Sequence, residues 1–432
     1  MKKEQRIAKR QQFIYLLISV TLTFCCQSQG FAQQKEDDDA ADNQRPVQER
    51  DVGDSFIENV AELPGQIVTL PFHLLVEGVK LLQLQRGYLR MTDWLTSEDE
   101  TRRFRPIFSP GSGGGGTFTQ TNLFHNSMRL RAHASFGNRS RRLILGSLHD
   151  PALFSQKWGF HLNAFNHRKP DEDFYGAGND AREMDRTDFL EEETNVMGTF
   201  LFYPRQSMSF GLGVGYSDVS INAGRDEGQP NLDSLFTPSQ LPGFFGGTMG
   251  TVTLKFYRDA RNEAGHPTRG GEQLLAVQFS RDGDLGFVKY TLDLRKYIEL
   301  FYGRVLALRV RGDMTEDLGD REVPFYRLPG LGGEDLLKGY QSFRFRDDDL
   351  AYVSAEYRVP LNPMVYMTVF IEEGRVFRNL FKDFTLSDWH YSYGGGLRFR
   401  APNGGLITTI LIARSDEGTR FLFGLNTELG GI

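Results

Sequence analysis

Residues 326–361 read YRLPGLGGEDLLKGYQSFRFRDDDLAYVSAEYRVPL. The first half is a Gly/Pro-rich loop that passes through Leu337-Lys338-Gly339-Tyr340. The second half is a strand in which Ser354, Glu356 and Arg358 alternate with Val353, Ala355, Tyr357 and Val359. Strand side chains point to opposite faces in turn, so one face here is charged and the other apolar. A strand of this kind, joined to a loop with such conformational freedom, suits a barrel with a wet interior.

The same period of two extends through the chain from Arg102. Met128, Leu130, Ala132, Ala134 and Phe136 alternate with Arg129, Arg131, His133 and Ser135. Met208, Phe210, Leu212, Val214 and Tyr216 alternate with Ser and Gly. Leu306, Leu308 and Val310 alternate with Ala307, Arg309 and Arg311, and Tyr391 to Arg400 repeats the pattern. A soluble sandwich would alternate too, with its apolar face buried. Strand length and number, aromatic strand ends and an export signal favour an all-β, transmembrane antiparallel β-barrel instead.

Strands are expected near 115–124, 127–136, 140–149, 156–166, 193–203, 206–217, 249–258, 271–280, 286–295 and 299–311. Five more fall near 350–359, 364–374, 389–400, 404–413 and 419–429. Single-chain bacterial barrels close with even strand numbers, and a further strand near 102–110 brings the count to about sixteen. Short links such as Tyr203-Pro204-Arg205 read as periplasmic turns. The segments 167–192, 219–248 and 312–349 read as long external loops.

The N-terminus has the layout of a secretory signal over residues 1–32. Lys2, Lys3, Arg6, Lys9 and Arg10 precede an apolar run from Phe13 to Cys26, and Gly30-Phe31-Ala32 offers a cleavage site. A retained anchor would need a longer apolar run, and lipid attachment at Cys25 is opposed by the bulky Phe24 before it. Both cysteines lie in this segment, so the exported chain is expected to have neither disulfides nor thiolate chemistry. Removing 1–32 leaves 45 basic against 55 acidic residues, a net charge of about −10. That balance, with no basic block, argues against nucleic-acid binding. No later apolar run is long enough for a membrane helix.

Residues 33–53 read as a disordered acidic tail. Residues 54–101 read as a helical periplasmic or rim segment, with Phe72, Leu75, Val76, Val79 and Leu82 at helical spacing after Pro71. Residues 102–432 are the expected barrel domain.

Over roughly 105–429 the chain resembles the bacterial surface-antigen superfamily of outer-membrane barrels, which includes the barrel-assembly insertase and the two-partner secretion transporters. The likeness rests on Phe174-Tyr175-Gly176-Ala177-Gly178-Asn179, on Asp259-Ala260-Arg261-Asn262 with Pro267-Thr268-Arg269-Gly270, and on residues 326–361. Phe370-Ile371-Glu372-Glu373-Gly374 and Gly394-Gly395-Gly396-Leu397-Arg398 add to it.

The resemblance implies an external loop folded back into the lumen, with Lys338, Gly339 and Tyr340 at its tip. The family's tip carries Arg where this chain has Lys338, and its wall strand carries Asp where this chain has Glu372. Charge is kept on both sides while the planar guanidinium fork is lost. The resemblance therefore implies a Lys338–Glu372 bridge, with Gly374, Glu356 and Arg358 as further wall partners. Protein-handling members of the family carry periplasmic capture modules (POTRA) that add strands to clients. Residues 33–101 lack the alternating strands of such a module, so a member without one is expected. The terminal strand has Phe421, Phe423 and Leu425 at the expected spacing but ends in Leu429-Gly430-Gly431-Ile432 rather than an aromatic.

Other motifs carry less. Gly211-Leu212-Gly213-Val214-Gly215 and Gly330-Leu331-Gly332-Gly333 do not join a strand to a helix, so they read as close-packing glycines rather than nucleotide loops. The eight histidines show no metal-ligand spacing, and Asp347-Asp348-Asp349 reads as solvated loop charge. No Ser–His pair is nominated for an outer-membrane enzyme, so neither catalysis nor a cofactor or metal is expected.

Two function classes follow for a chain placed in the Gram-negative cell outer membrane and surrounded by its lipid. One is insertion or translocation of nascent outer-membrane or secreted polypeptides, with a separate periplasmic factor docking at the helical segment. The other is a structural or pore-forming barrel or surface antigen with no client.

Overall fold

The computed structural model describes residues 95–109, 113–124, 127–400 and 406–427. The expected signal segment, the acidic tail and residues 54–94 of the expected 54–101 helical segment lie outside the described residues, and 95–101 form turns and a bridge rather than helix. From Leu95 the chain turns back on itself through a Thr96–Arg103 bridge and enters the sheet.

Sixteen strands form one antiparallel sheet, each paired with the one before it. They are β1 (Arg102–Ser109), β2 (Gly113–Leu123), β3 (Met128–Phe136), β4 (Arg142–Asp150), β5 (Trp158–Phe174), β6 (Thr187–Arg205), β7 (Met208–Ala223) and β8 (Gly246–Asp259). Then come β9 (Gly270–Arg281), β10 (Gly286–Glu299), β11 (Val305–Asp317), β14 (Asp349–Asn362), β15 (Val365–Phe377), β16 (His390–Arg400), β17 (Leu406–Ser415) and β18 (Gly418–Thr427). The short pair β12 (Gly330–Leu331) and β13 (Phe345–Arg346) belongs to the loop between β11 and β14. The fold is thus a sixteen-stranded antiparallel barrel wall. Among the described residues, no ladder joins β1 to β18.

Burial separates the two faces of this wall. On β7, Phe210, Leu212, Val214 and Tyr216 are exposed while Gly211, Gly213 and Ser217 are buried. Buried instead are Asp293, Asp313, Arg358 and Glu372. Apolar residues outside and charges inside invert the arrangement of a water-soluble sandwich, and mark a surface made for hydrocarbon.

The strands expected near 156–166, 193–203, 206–217 and 299–311 are corrected in extent. β5, β6 and β7 run for 17, 19 and 16 residues, well beyond the ~9–11 that a bilayer core requires. They rise into the expected loops, which shrink to 175–186, 224–245 and 318–348. Residues 300–304 form the turn between β10 and β11 rather than strand. The alternation there is masked by apolar residues on the inner face. Phe174, Phe189, Val219, Ile221, Met249 and Phe287 form a core with Val323, Phe325 and Tyr326 of the long loop, so upper strand positions are apolar on both sides.

Candidate functional site

The loop from Leu318 to Asp348 leaves β11 and returns to β14 after crossing the lumen. Its descending limb buries Phe325 against Phe174 and Phe189. Arg327 then reaches Glu193 on β6 at 2.7 Å, and Asp335 accepts from Arg309 on β11 at 2.8 Å. Leu331, Leu336, Leu337 and Tyr340 form an apolar cluster with Phe345, Leu350, Tyr352 and Val376, which seats the loop on β14 and β15.

At the tip, Lys338 meets Glu372 twice. Its amide donates to Oε2 at 2.7 Å and its ammonium to Oε1. Tyr352 donates its hydroxyl to Oε1 at 2.8 Å, and Ser392 reaches Oε2 at 3.3 Å. Glu372 is 1% exposed, so a carboxylate removed from water is matched by four donors. The ammonium also lies 5.0 Å from the Phe370 ring. The planar fork of an arginine is replaced by one point charge plus one backbone donor.

Gly339 binds two more strands. Its amide donates to Ser392 Oγ on β16 at 2.9 Å, and its carbonyl accepts from Ser415 Oγ on β17 at 3.0 Å. A Cβ at this position would stand 2.9 Å from the Arg414 carbonyl carbon and from Ser415 Cβ, so only glycine lets the tip come this close. Tyr340 donates to Asp416 in the β17–β18 hairpin, and Arg420 of β18 donates to the carbonyls of Lys338 and Tyr340. The ascending limb adds Arg344, whose Nε lies 2.7 Å from Glu417, and stacks Phe345 on His390 at 3.7 Å. The tip thus touches β15, β16, β17 and β18 in succession.

Gly374 contributes by having no side chain, since a Cβ there would lie 3.0 and 3.2 Å from the Leu331 methyls and 3.3 Å from Leu337. Glu356 and Arg358 lie on the inner face beside the bridge. Glu356 binds Arg358 at 2.7 Å and Arg398 at 2.9 Å. In the ladder Ser354 pairs with Glu372, so Glu356 lies one inward step further toward the short-turn end.

That end carries a second crossing. Asp259 holds Arg261 through Oδ1 and Oδ2 at 2.9 and 2.7 Å, and Asn262 Oδ1 accepts from the amides of Thr268 and Arg269, each at 3.0 Å. Gly270 closes the turn at φ +93°, where a Cβ would strike the Ala260 carbonyl. The turn reaches over to β14–β16, where Arg358 donates to the Pro267 carbonyl at 3.4 Å, His266 packs on Tyr366 at 3.9 Å and Arg400 pairs with Glu263.

His167, Glu191 and Glu193 come together in the lumen with ligand-type atoms within 4.8 Å of one another. Lys169 lies 3.4 Å from Glu191 and Arg327 2.7 Å from Glu193, so the two carboxylates already have cations. This group ties the loop to β5 and β6.

Strand parity could have found Tyr352, Ser392 and Arg420, because all three sit on the polar face of their strands. No local signal marks Asp416, Glu417 or Arg344.

The Omp85 superfamily domain matches residues 122–428 of this chain. The outer membrane protein assembly factor BamA of Nitratidesulfovibrio vulgaris is 25% identical over 222 residues, spanning 48% of this chain and 27% of that relative. Among solved structures, BamA from Haemophilus ducreyi lacking POTRA domains 1–3 superposes with a TM-score of 0.54 at 18% identity, covering 74% of this chain and 68% of that one. CdiB from Escherichia coli gives a TM-score of 0.45 at 12% identity, over 73% of this chain and 59% of that one.

Proposed function

This chain belongs to the Omp85 superfamily, and from that premise we propose that it assists the insertion or translocation of polypeptides at the outer membrane, without enzymatic chemistry. The observation that carries the reading is the pair of strand edges, β1 and β18, left without a mutual ladder among the described residues. An edge strand in hydrocarbon exposes N–H and C=O groups at a cost of several kcal/mol each. An incoming strand would satisfy them by adding to the sheet.

Strand lengths support the same location. β1, β3 and β4 have 8, 9 and 9 residues, and β17 and β18 have 10 each, against 17 and 19 in β5 and β6. A short hydrophobic wall thins the adjoining bilayer, which eases strand entry. The loop tip holds β15–β18, and so braces one side of this seam from within.

A photocrosslinking residue at Phe104 on β1 or Phe423 on β18, in living Gram-negative cells, tests the reading. Both side chains are exposed on the outer face. Nascent outer-membrane or secreted polypeptides should be trapped there and not by the same probe at Leu254 on β8. A second reading, a plugged barrel with no client, is favoured by the number of bonds from loop to wall. Equal, client-free labelling at all three positions would establish it over the first.

A further inference from the structure

The outer wall contains a cleft of about 440 Å³ over β7–β11. Its sides are Leu254, Phe256, Leu275, Tyr290, Leu292 and Met314, all on the outward parity of their strands. A convex barrel wall normally leaves outward side chains exposed, yet Leu292 is 8% and Met314 5% exposed.

Two features of the sequence make the cleft. First, Gly312 stands at an outward position between Leu292 on β10 and Ala351 on β14. A Cβ there would meet only the Leu350 carbonyl, at 3.8 Å, so neither packing nor backbone conformation demands glycine. A strand glycine that no protein atom approaches leaves room for something else.

Second, the segment between β15 and β16 folds down over the outside of the barrel. Its helical turn, Leu380–Asp383, is capped by Asn379, and the Leu380 amide donates to Asp349 at 2.8 Å. Leu380 then packs on Met314 and Phe377, beside Tyr290 and Trp389, and closes the upper end of the cleft. Around this lid Phe384 and Leu386 are 55% and 85% exposed, with Arg378, Lys382 and Asp383 exposed beside them and Arg378 facing Asp347 and Asp348.

We propose that this cleft holds one acyl chain of an anionic lipid from the leaflet at the long-loop end, with its headgroup at Arg378 and Lys382. The cleft is continuous with the lipid-facing band, so its occupant comes from the hydrocarbon. Its volume lies in the range that encloses a small ligand. The exposed apolar groups and cations of the lid match the boundary between acyl chains and headgroups.

The test is native mass spectrometry of the full chain, refolded from vesicles of mixed phosphatidylglycerol and phosphatidylcholine and then stripped with detergent. Wild type should retain one phosphatidylglycerol per barrel. Gly312→Leu, whose Cβ would meet only the Leu350 carbonyl at 3.8 Å, should lose it while the heat-modifiable β species persists. Arg378→Glu with Lys382→Glu should keep one bound lipid but erase the preference for phosphatidylglycerol, by about tenfold or more for two lost charge contacts. Retention in Gly312→Leu equal to wild type overturns the site. An unchanged preference in the double variant overturns the headgroup assignment. A second protein chain crosslinked at Leu254 in place of lipid would also overturn the proposal.

Discussion

Glu372 is buried, and both of its oxygens are committed to donors from two strands, β14 and β16, and from the loop. Lys338→Ala would leave that carboxylate with neutral partners only, at a cost of about 3–5 kcal/mol to loop seating. The loop should then be cut by protease in the folded barrel, and the heat-modifiable band should unfold at lower temperature. Lys338→Arg keeps the charge and should restore most protection. If Lys338→Ala is as protected as wild type, the bridge is incidental. Gly339→Ala probes the tip sterically, because the clash is with backbone that cannot swing away. A loss of about 1–3 kcal/mol in the same assays is expected.

At the scale of elements, the barrel is crossed twice, by the long loop from one end and by the 260–269 turn from the other. Their pH responses run in opposite directions. Burial, with Arg358, Arg400 and Arg398 facing it, lowers the pKa of His266 from 6.5 to about 4, against a weaker pull from Glu356. A depressed basic group contributes stability above its unfolded value and loses it as pH falls. Docking of the turn should therefore weaken from pH 6.5 down through about 4. A spin label at the exposed Ala264 should gain mobility over that window, and His266→Phe, which keeps the stacking on Tyr366, should abolish the change. Asp348 in the long loop is raised from 3.8 to about 7 by burial and by Asp347, Asp349 and Asp317, against Arg378. Its contribution is complete below 3.8 and is lost as pH rises through about 7, so hydrogen exchange at 347–349 should be faster at pH 8 than at pH 5 after correction for intrinsic rates. Asp348→Asn should remove that difference.

For the whole molecule, the question is what fills a sixteen-stranded cylinder. Barrels of this size enclose an aqueous channel unless something occupies it. Here the loop crosses from Glu193 on β6 to Arg420 on β18, and so lies across the lumen. Replacing residues 332–344 by a short Gly/Ser linker should turn a nearly closed barrel into one with large, stable conductance steps in planar bilayers. Unchanged conductance would mean that the upper core or the 260–269 turn seals the lumen by itself.

The sequence by itself determined fifteen strands and their in–out parity, and the even closure of barrels supplied the sixteenth. Period-two alternation and glycine-rich loops are local properties, and each is written in neighbouring residues. Even the Lys338–Glu372 pairing could be named, through a likeness to known barrels. What only the tertiary structure decided was which inward groups meet. Glu356 takes Arg398 as a partner, and Asp416 and Arg420 join the tip, with Glu417 joining Arg344, from a hairpin with no motif of its own. The heights of β5–β7 and the cleft behind Gly312 were hidden for the same reason. They depend on what faces a residue across the lumen or down the outer wall, and those neighbours lie tens to hundreds of positions away along the chain.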